Sequence, residues 1–289
     1  MKIALYSKNV SREDADFLSY VVKFLENKQH EILIHRHFGD YFPSLPVFYD
    51  HSSLKEHTVD FLFSLGGDGT LLDAASIVGN SDIPIVGINT GRIGFLTNIN
   101  QKDFEEAFAM LQQSLFTIEE RALLRLECEA LPAGSCFALN DITVHSSNNS
   151  YLSAIKVWID GQKVNTYWGD GLIIATPTGS TAYSLSCGGP IILPSTHVNV
   201  ITPIASHSLS VRPIVVSADK EIILTIEGRN DSFTLTYDSH RVELPNASTI
   251  TISKETFTIK TVRLDSTDFF SVIREKLMWG LDKRNETGC

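Results

Sequence analysis

The chain has 289 residues, 43% hydrophobic and 20% charged, a composition that excludes disorder, collagen and coiled coil and leaves room for about two domains. Its 24 Lys and Arg against 34 Asp and Glu give a net charge of −10, so no global positive field draws it to nucleic acid or anionic lipid. No run approaches the ~18 apolar residues of a membrane span, and the opening MKIALYSKNV turns polar too soon for a signal-peptide core.

The first ~115 residues alternate short apolar runs with helix-period stretches, the pattern of parallel strands joined by crossover helices. Ile3 to Tyr6 is a first strand. A helix follows, with Ser11 as N-cap, Asp14 near the capping-box position, and Phe17, Val21, Phe24 and Leu25 on one face. Ile32 to Ile34 is a second strand, Val59 to Leu65 a third, and Ile83 to Ile88 a fourth. The third is apolar almost throughout, as strands covered on both faces are. Phe104, Phe108 and Leu111 keep helical spacing, which completes an open α/β sheet.

From about Leu123 the texture becomes β-rich, with period-two stretches at Ile155, Val157, Ile159 and at Phe233, Leu235, Tyr237. Asp160-Gly161 marks a hairpin and Gly228-Arg229-Asn230-Asp231 another reversal. Asp268 to Leu281, carrying Phe269, Val272, Ile273, Lys276, Leu277 and Trp279, is helical again and expected to return to the first domain. The expected division is an N-terminal α/β domain over 1–121, to which 266–289 returns, and a C-terminal β-rich domain over 122–265. Cys128, Cys136, Cys187 and Cys289 contain no Cys-x-x-Cys pair, which indicates a reducing compartment and hence the cytoplasm.

Three polar clusters resist a purely structural reading. Gly66-Gly67-Asp68-Gly69-Thr70 ends the third strand and precedes a helical stretch. At the carboxyl end of a strand in an open sheet, such a turn offers free N–H groups and a favourable dipole to phosphate. Asp68 beside a phosphate would repel it, unless it binds the metal or removes a proton from an attacking hydroxyl. A tight turn with an Asx-type aspartate is the alternative. Neither G-x-x-x-x-G-K-[ST] nor a strand-borne G-x-G-x-x-G occurs, so a P-loop enzyme and an ordinary Rossmann dehydrogenase are excluded.

The second cluster, Asn140-Asp141, interrupts what reads as one strand, and its amide and carboxylate suit adjacent sugar hydroxyls. A bulge or strand end is the competing reading. The third runs from Gly169-Asp170-Gly171 through a buried strand to Thr176-Pro177-Thr178-Gly179-Ser180-Thr181-Ala182-Tyr183-Ser184. Its hydroxyls, with a helix start at Thr181, would give many donors to one polar ligand. Of the histidines, His35 and His37 could share a metal, although the exposed end of a strand is the preferred reading, and His240 is a candidate ligand contact.

Taken together, these motifs resemble the NAD kinase family in order and spacing over most of the chain. The first is shared with diacylglycerol-kinase-like lipid kinases and loosely with phosphofructokinases; the threonine-rich motif is far more specific. Gly87 to Leu96, Cys187 to Pro190 and His207 to Pro213 look like the family too. The resemblance implies an N-terminal α/β domain, a C-terminal β-rich dinucleotide-binding domain, and transfer of the γ-phosphoryl of ATP to the 2′-hydroxyl of the adenosine ribose of NAD. It implies Asp68, between Gly67 and Gly69, as general base, and Asn140 and Asp141 on ribose hydroxyls. Thr181, Ala182, Tyr183 and Ser186 would line the adenosine pocket with Phe95 nearby, Asp170 would contact the nicotinamide side, and His240 would add a contact. The family commonly has Asn-Glu where this chain has Asn140-Asp141, a carboxylate one methylene shorter.

An acidic protein handling two polyanions needs a divalent cation, by default Mg²⁺. Two alternatives remain at this point: a lipid kinase sharing the glycine turn, and a non-catalytic dinucleotide sensor. Retention of Asp68 as an unpaired carboxylate argues against the sensor. A homo-oligomer, at least a dimer, is expected because the β-rich half has strand edges to cover.

Overall fold

The computed structural model describes residues 1–8, 12–91, 94–97, 99–131, 136–146, 153–227, 232–265 and 268–279. The chain divides into two compact units, Met1–Glu120 with Ile259–Cys289, and Arg121–Thr258.

In the first unit the strand Lys2–Tyr6 lies between Glu31–His35 and Phe61–Leu65, with Val47–Phe48 outside the former and Ile85–Asn89 beside the latter. All four of these pairings are parallel. Strand order therefore reverses at Lys2–Tyr6, and in a doubly wound sheet ligands gather outside the carboxyl ends at such a point. Phe61–Leu65 is buried on both faces, as its apolar run predicted. Phe63 and Leu65 share a core with Phe17, Val21 and Leu25 of the helix Arg12–Asn27 and with Phe104, Phe108 and Leu111 of the helix Phe104–Gln112. The capping residues assigned to the first helix, Ser11 and Asp14, lie outside the residues whose side chains are described.

The fourth strand starts at Ile85, two residues later than its apolar run suggests, because Pro84 has no N–H to give a ladder. The boundary expected at 266 also moves. Ile259–Leu264 is a strand of the first unit's sheet, parallel to Ile85–Asn89 and next to Phe116–Arg121. Val262 and Leu264 bury in that unit's core, so a strand, ahead of the helix, brings the chain back. The helix is shorter than expected: it covers Phe269–Leu277, with the Asp268 carboxylate accepting from Phe270 and Ser271 N–H, and it ends where Met278 turns left-handed.

The second unit holds two antiparallel six-stranded sheets. One runs Ile214–Ser217, Val198–Ile204, Gly171–Ala175, Asp141–Ser146, Ser232–Tyr237, His240–Pro245; the other contains Ser153–Ile159, Ile222–Glu227, Thr249–Lys254 and Leu124–Cys128. Ile155, Val157, Leu224, Ile252, Phe233 and Leu235 fill the space between them, as period-two patterning requires. Gly171–Ala175 is covered on both faces, Leu172 and Ile174 facing that core and Ile173 and Ala175 a second cluster. Asp160 and Gly161 form the two-residue hairpin with positive φ at both, a type I′ turn. Gly228 to Asp231 lie outside the described residues, as does Cys289, and the strands flanking that reversal belong to different sheets.

Candidate active site

The predicted site residues divide between the two units. In the first, Gly67 caps the helix Asp68–Val78 with no side chain, and Asp68 opens it at the carboxyl end of Phe61–Leu65, where the helix dipole favours negative charge. Asp68 is not the unpaired carboxylate the sequence suggested. It accepts from the N–H of Phe95 at 2.7 Å, of Leu96 at 3.1 Å and of Thr97 at 3.0 Å, and from the Thr97 hydroxyl at 3.0 Å. A side chain at Gly94 would bring Cβ within 1.6 Å of Asp68 Oδ1, so only glycine lets this loop close around the carboxylate.

Two further residues support that loop, and sequence reasoning missed both. The Asn89 amide holds Thr97 Oγ1 and the Gly91 N–H. Lys276, on the returning helix, stands 5.9 Å from the Phe95 ring centroid. Burial lowers its pKa, and the charges of Asp68 and Glu275 oppose the shift. The only sequence signal for Asn89 was its place in the Gly87 to Leu96 stretch.

In the second unit Asn140 and Asp141 do not interrupt one strand. Cys136–Ala138 belongs to one sheet and Asp141–Ser146 to the other, so Leu139-Asn140 is the crossing between sheets. Asp238, in the hairpin between Tyr237 and His240, secures it by accepting from the N–H of Leu139 at 2.7 Å, Asn140 at 2.8 Å and Asp141 at 3.3 Å. Among the described residues Asn140 Oδ1 is buried without a partner, an acceptor poised for a donor from outside the chain. Burial, helped by the nearby charge of Asp238 and opposed by the Thr143 hydroxyl, pushes the Asp141 pKa up to about 6.

The hydroxyl-rich turn works differently from its prediction. Thr176 donates to Leu139 C=O at 2.6 Å, Ser180 to Pro177 C=O at 2.6 Å and Thr181 to Thr178 C=O at 3.1 Å, while Ser184 pairs with Thr202 at 2.8 Å. Most of these hydroxyls therefore hold the turn together, because a chain this tightly folded leaves carbonyls that its own N–H groups cannot reach. Gly179 packs against the Asn140 backbone, where a Cβ would lie 2.1 Å from the carbonyl oxygen. The helix expected from Thr181 is a 3₁₀ turn over Gly179–Thr181, followed after Ala182 by a short helix Tyr183–Ser186.

Tyr183, Ser186 and Asp170 are exposed. Tyr183 lies 5.8 Å from His145, centroid to centroid, and the charges of Asp141 and Asp170 both act on it. Its pKa is raised, chiefly by burial. Asp170 likewise acts on His145, whose pKa burial lowers, with Arg241 lowering it further and Asp170 opposing. Asp141 and Asp170 are thus both within electrostatic reach of Tyr183, with His145 as a neighbour the sequence reading did not single out. His240 is exposed and stacks on Tyr237 at 4.9 Å, two residues from Asp238. His35, by contrast, is buried rather than at an exposed strand end. Its Nε2 lies 3.2 Å from Tyr49 C=O, and burial, then the His37 charge, lowers its pKa to about 4.

The ATP-NAD kinase N-terminal domain family matches residues 7–116 and the ATP-NAD kinase C-terminal domain family residues 139–264. An NAD kinase of Bacteroides fragilis is 40% identical over 98% of this chain and 100% of its own length, and one of Cytophaga hutchinsonii 37% identical over 99% and 100%. Among solved structures, yeast NADH kinase complexed with NADH superposes with a TM-score of 0.87 at 25% identity, covering 98% of this chain and 89% of that one. An NAD kinase from Archaeoglobus fulgidus in complex with ATP gives 0.75 at 26% identity, covering 96% and 99%.

Proposed function

The chain belongs to the ATP-NAD kinase family, and from that premise we propose that it transfers the γ-phosphoryl of ATP to the 2′-hydroxyl of the adenosine ribose of NAD, giving NADP. The observation that carries the residue assignment is Asp68, held rigidly at the strand end where an open sheet gathers ligands. It receives the proton of the attacking hydroxyl. Asn140 and Asp141 hold ribose hydroxyls, the former through an oxygen that has no partner among the described residues. Tyr183, with Thr181, Ala182 and Ser186, flanks the adenosine, Asp170 faces the nicotinamide side, and His240 and Phe95 add contacts. Lys276 contributes positive charge beside Asp68, which a transferring phosphoryl group demands.

Among the described residues no group of three or more His, Cys, Asp or Glu could cage an ion. Mg²⁺ carried by the substrate phosphates and its own waters needs no such cage, and leaves Asp68 to act as the base. The cation supplies neutralisation of charge on the phosphoryl group. The lipid-kinase alternative is set aside by full-length relatives that match both domains. The sensor alternative is set aside with it.

Among the described residues no helix is long and apolar enough to cross a membrane, and Cys128, Cys136 and Cys187 are free thiols, which supports a cytoplasmic setting. The edge strand Ile214–Ser217 exposes Ile214 and Val215. That apolar edge supports a homo-oligomer, and a monomer mass by light scattering would refute it. For the activity, purified protein with ATP, Mg²⁺ and NAD should yield NADP, read by an NADP-specific dehydrogenase, and chelation should abolish the yield until Mg²⁺ is returned. Phosphorylation of diacylglycerol, or NAD binding without NADP, would overturn the assignment.

A further inference from the structure

A carboxylate takes a proton only where a lone pair is uncommitted, and each of its oxygens offers about two acceptor positions. The donors around Asp68 are unevenly shared. Among the described residues Oδ2 receives the Phe95 N–H alone, whereas Leu96 N–H, Thr97 N–H and the Thr97 hydroxyl all converge on Oδ1. Oδ1 is saturated, and Oδ2 keeps a free position.

The direction of the hydroxyl bond follows from its neighbours. Gly91 N–H can only donate and lies 2.7 Å from one end of the Asn89 amide, so that end is the oxygen. The other end, the NH₂, then stands 2.9 Å from Thr97 Oγ1. It too can only donate. The Thr97 hydroxyl must accept from Asn89 and direct its single proton at Asp68 Oδ1. Asn89 is 2% and Thr97 0% exposed, so water does not compete for either.

We propose that Asn89 and Thr97 are positioning residues for phosphoryl transfer, fixing Asp68 so that Oδ2 is the oxygen that accepts the hydroxyl proton. Neither touches substrate in this account; both act through the orientation of one carboxylate. The inference rests on Asp68 as the base of the proposed function, and the experiment separates the two.

Thr97→Ala, Thr97→Ser, Asp68→Asn and the double variant Thr97→Ala with Asp68→Asn are compared by kcat, by KM for NAD and for ATP, and by melting temperature. Thr97→Ala should lower kcat by about 10- to 100-fold, the span of one hydrogen bond to a charged group, with both KM values unmoved. Thr97→Ser, which keeps the hydroxyl, should recover most of the rate. In the Asp68→Asn background Thr97→Ala should add nothing, because there is no base left to orient. Thr97→Val keeps the buried volume and replaces the alanine variant if that one does not fold. A Thr97→Ala enzyme with a lower melting temperature and an unchanged kcat, beside a collapsed Asp68→Asn, would overturn the positioning role alone. An active Asp68→Asn would overturn the base and this inference with it.

Discussion

Asp141 should trade stability for binding, and the trade can be measured. Its carboxyl is buried and its pKa is pushed from 3.8 up to about 6, so ionisation is harder in the folded chain than in the unfolded one. The sign follows from proton linkage: between those values the folded state binds more protons, so stability is highest at low pH and falls as pH rises through about 6. A raised pKa of this size corresponds to roughly 3 kcal/mol lost at pH 7, at about 1.4 kcal/mol per tenfold change in proton affinity. Asp141→Asn keeps the shape and the oxygen that accepts from Thr143 and removes the charge. An amide left short of an acceptor costs about 1–3 kcal/mol. The net gain should therefore be about 0–2 kcal/mol at pH 7. Urea unfolding followed by tryptophan fluorescence reads chiefly this unit, since Trp158 and Trp168 lie within it, while Trp279 of the first unit is exposed. The variant's advantage should shrink towards pH 4, where Asp141 is protonated folded and half-protonated unfolded. The same substitution should raise the KM for NAD, because an acceptor for a ribose hydroxyl is gone. A variant clearly less stable than wild type at pH 7, or a stability difference that moves further in the variant's favour on acidification, would refute the reasoning.

Asp68→Asn should leave the Kd for NAD nearly intact while kcat falls by about 10²–10⁴, the usual contribution of a general base; equal kcat values would remove Asp68 from the chemistry. Asn140→Ala should raise the KM for NAD roughly 5- to 100-fold with kcat little changed, the cost of one hydrogen bond and its abandoned partner. If Asn140 served only the crossing between sheets, melting temperature would fall and KM would stay. Gly179→Ala should destabilise the second unit by more than about 1 kcal/mol, since its Cβ would meet the Asn140 carbonyl at 2.1 Å; a silent substitution in urea unfolding would show that the turn can yield. Asp238→Ala removes the acceptor for three N–H groups and should both lower the melting temperature and raise the KM for NAD, whereas a normal KM would mean that the Asn140 segment holds its shape unaided.

The sequence by itself determined the strand and helix alternation of the first unit, because burial on one helix face or two strand faces writes a local period into the side chains. It placed the glycine turn at a strand end for the same reason, and it located the Asp160-Gly161 hairpin, whose positive φ values demand particular residues. What surrounds the site was decided by the tertiary structure. The donors to Asp68 come from 27 to 29 residues away and the acceptor for Leu139 to Asp141 from 97 to 99. No local period records such pairings, since a carboxylate accepts from whichever N–H groups the fold delivers to it. The same holds for the threonine-rich turn, whose hydroxyls read as ligand donors until the carbonyls beside them were placed, and for Ile259–Leu264, a stretch of apolar residues mixed with Lys260, Thr261 and Arg263 that could have joined either sheet. The place of Ile259–Leu264 in the parallel sheet follows from burying Val262 and Leu264 against the first unit's core, a choice made by packing between residues far apart in the chain.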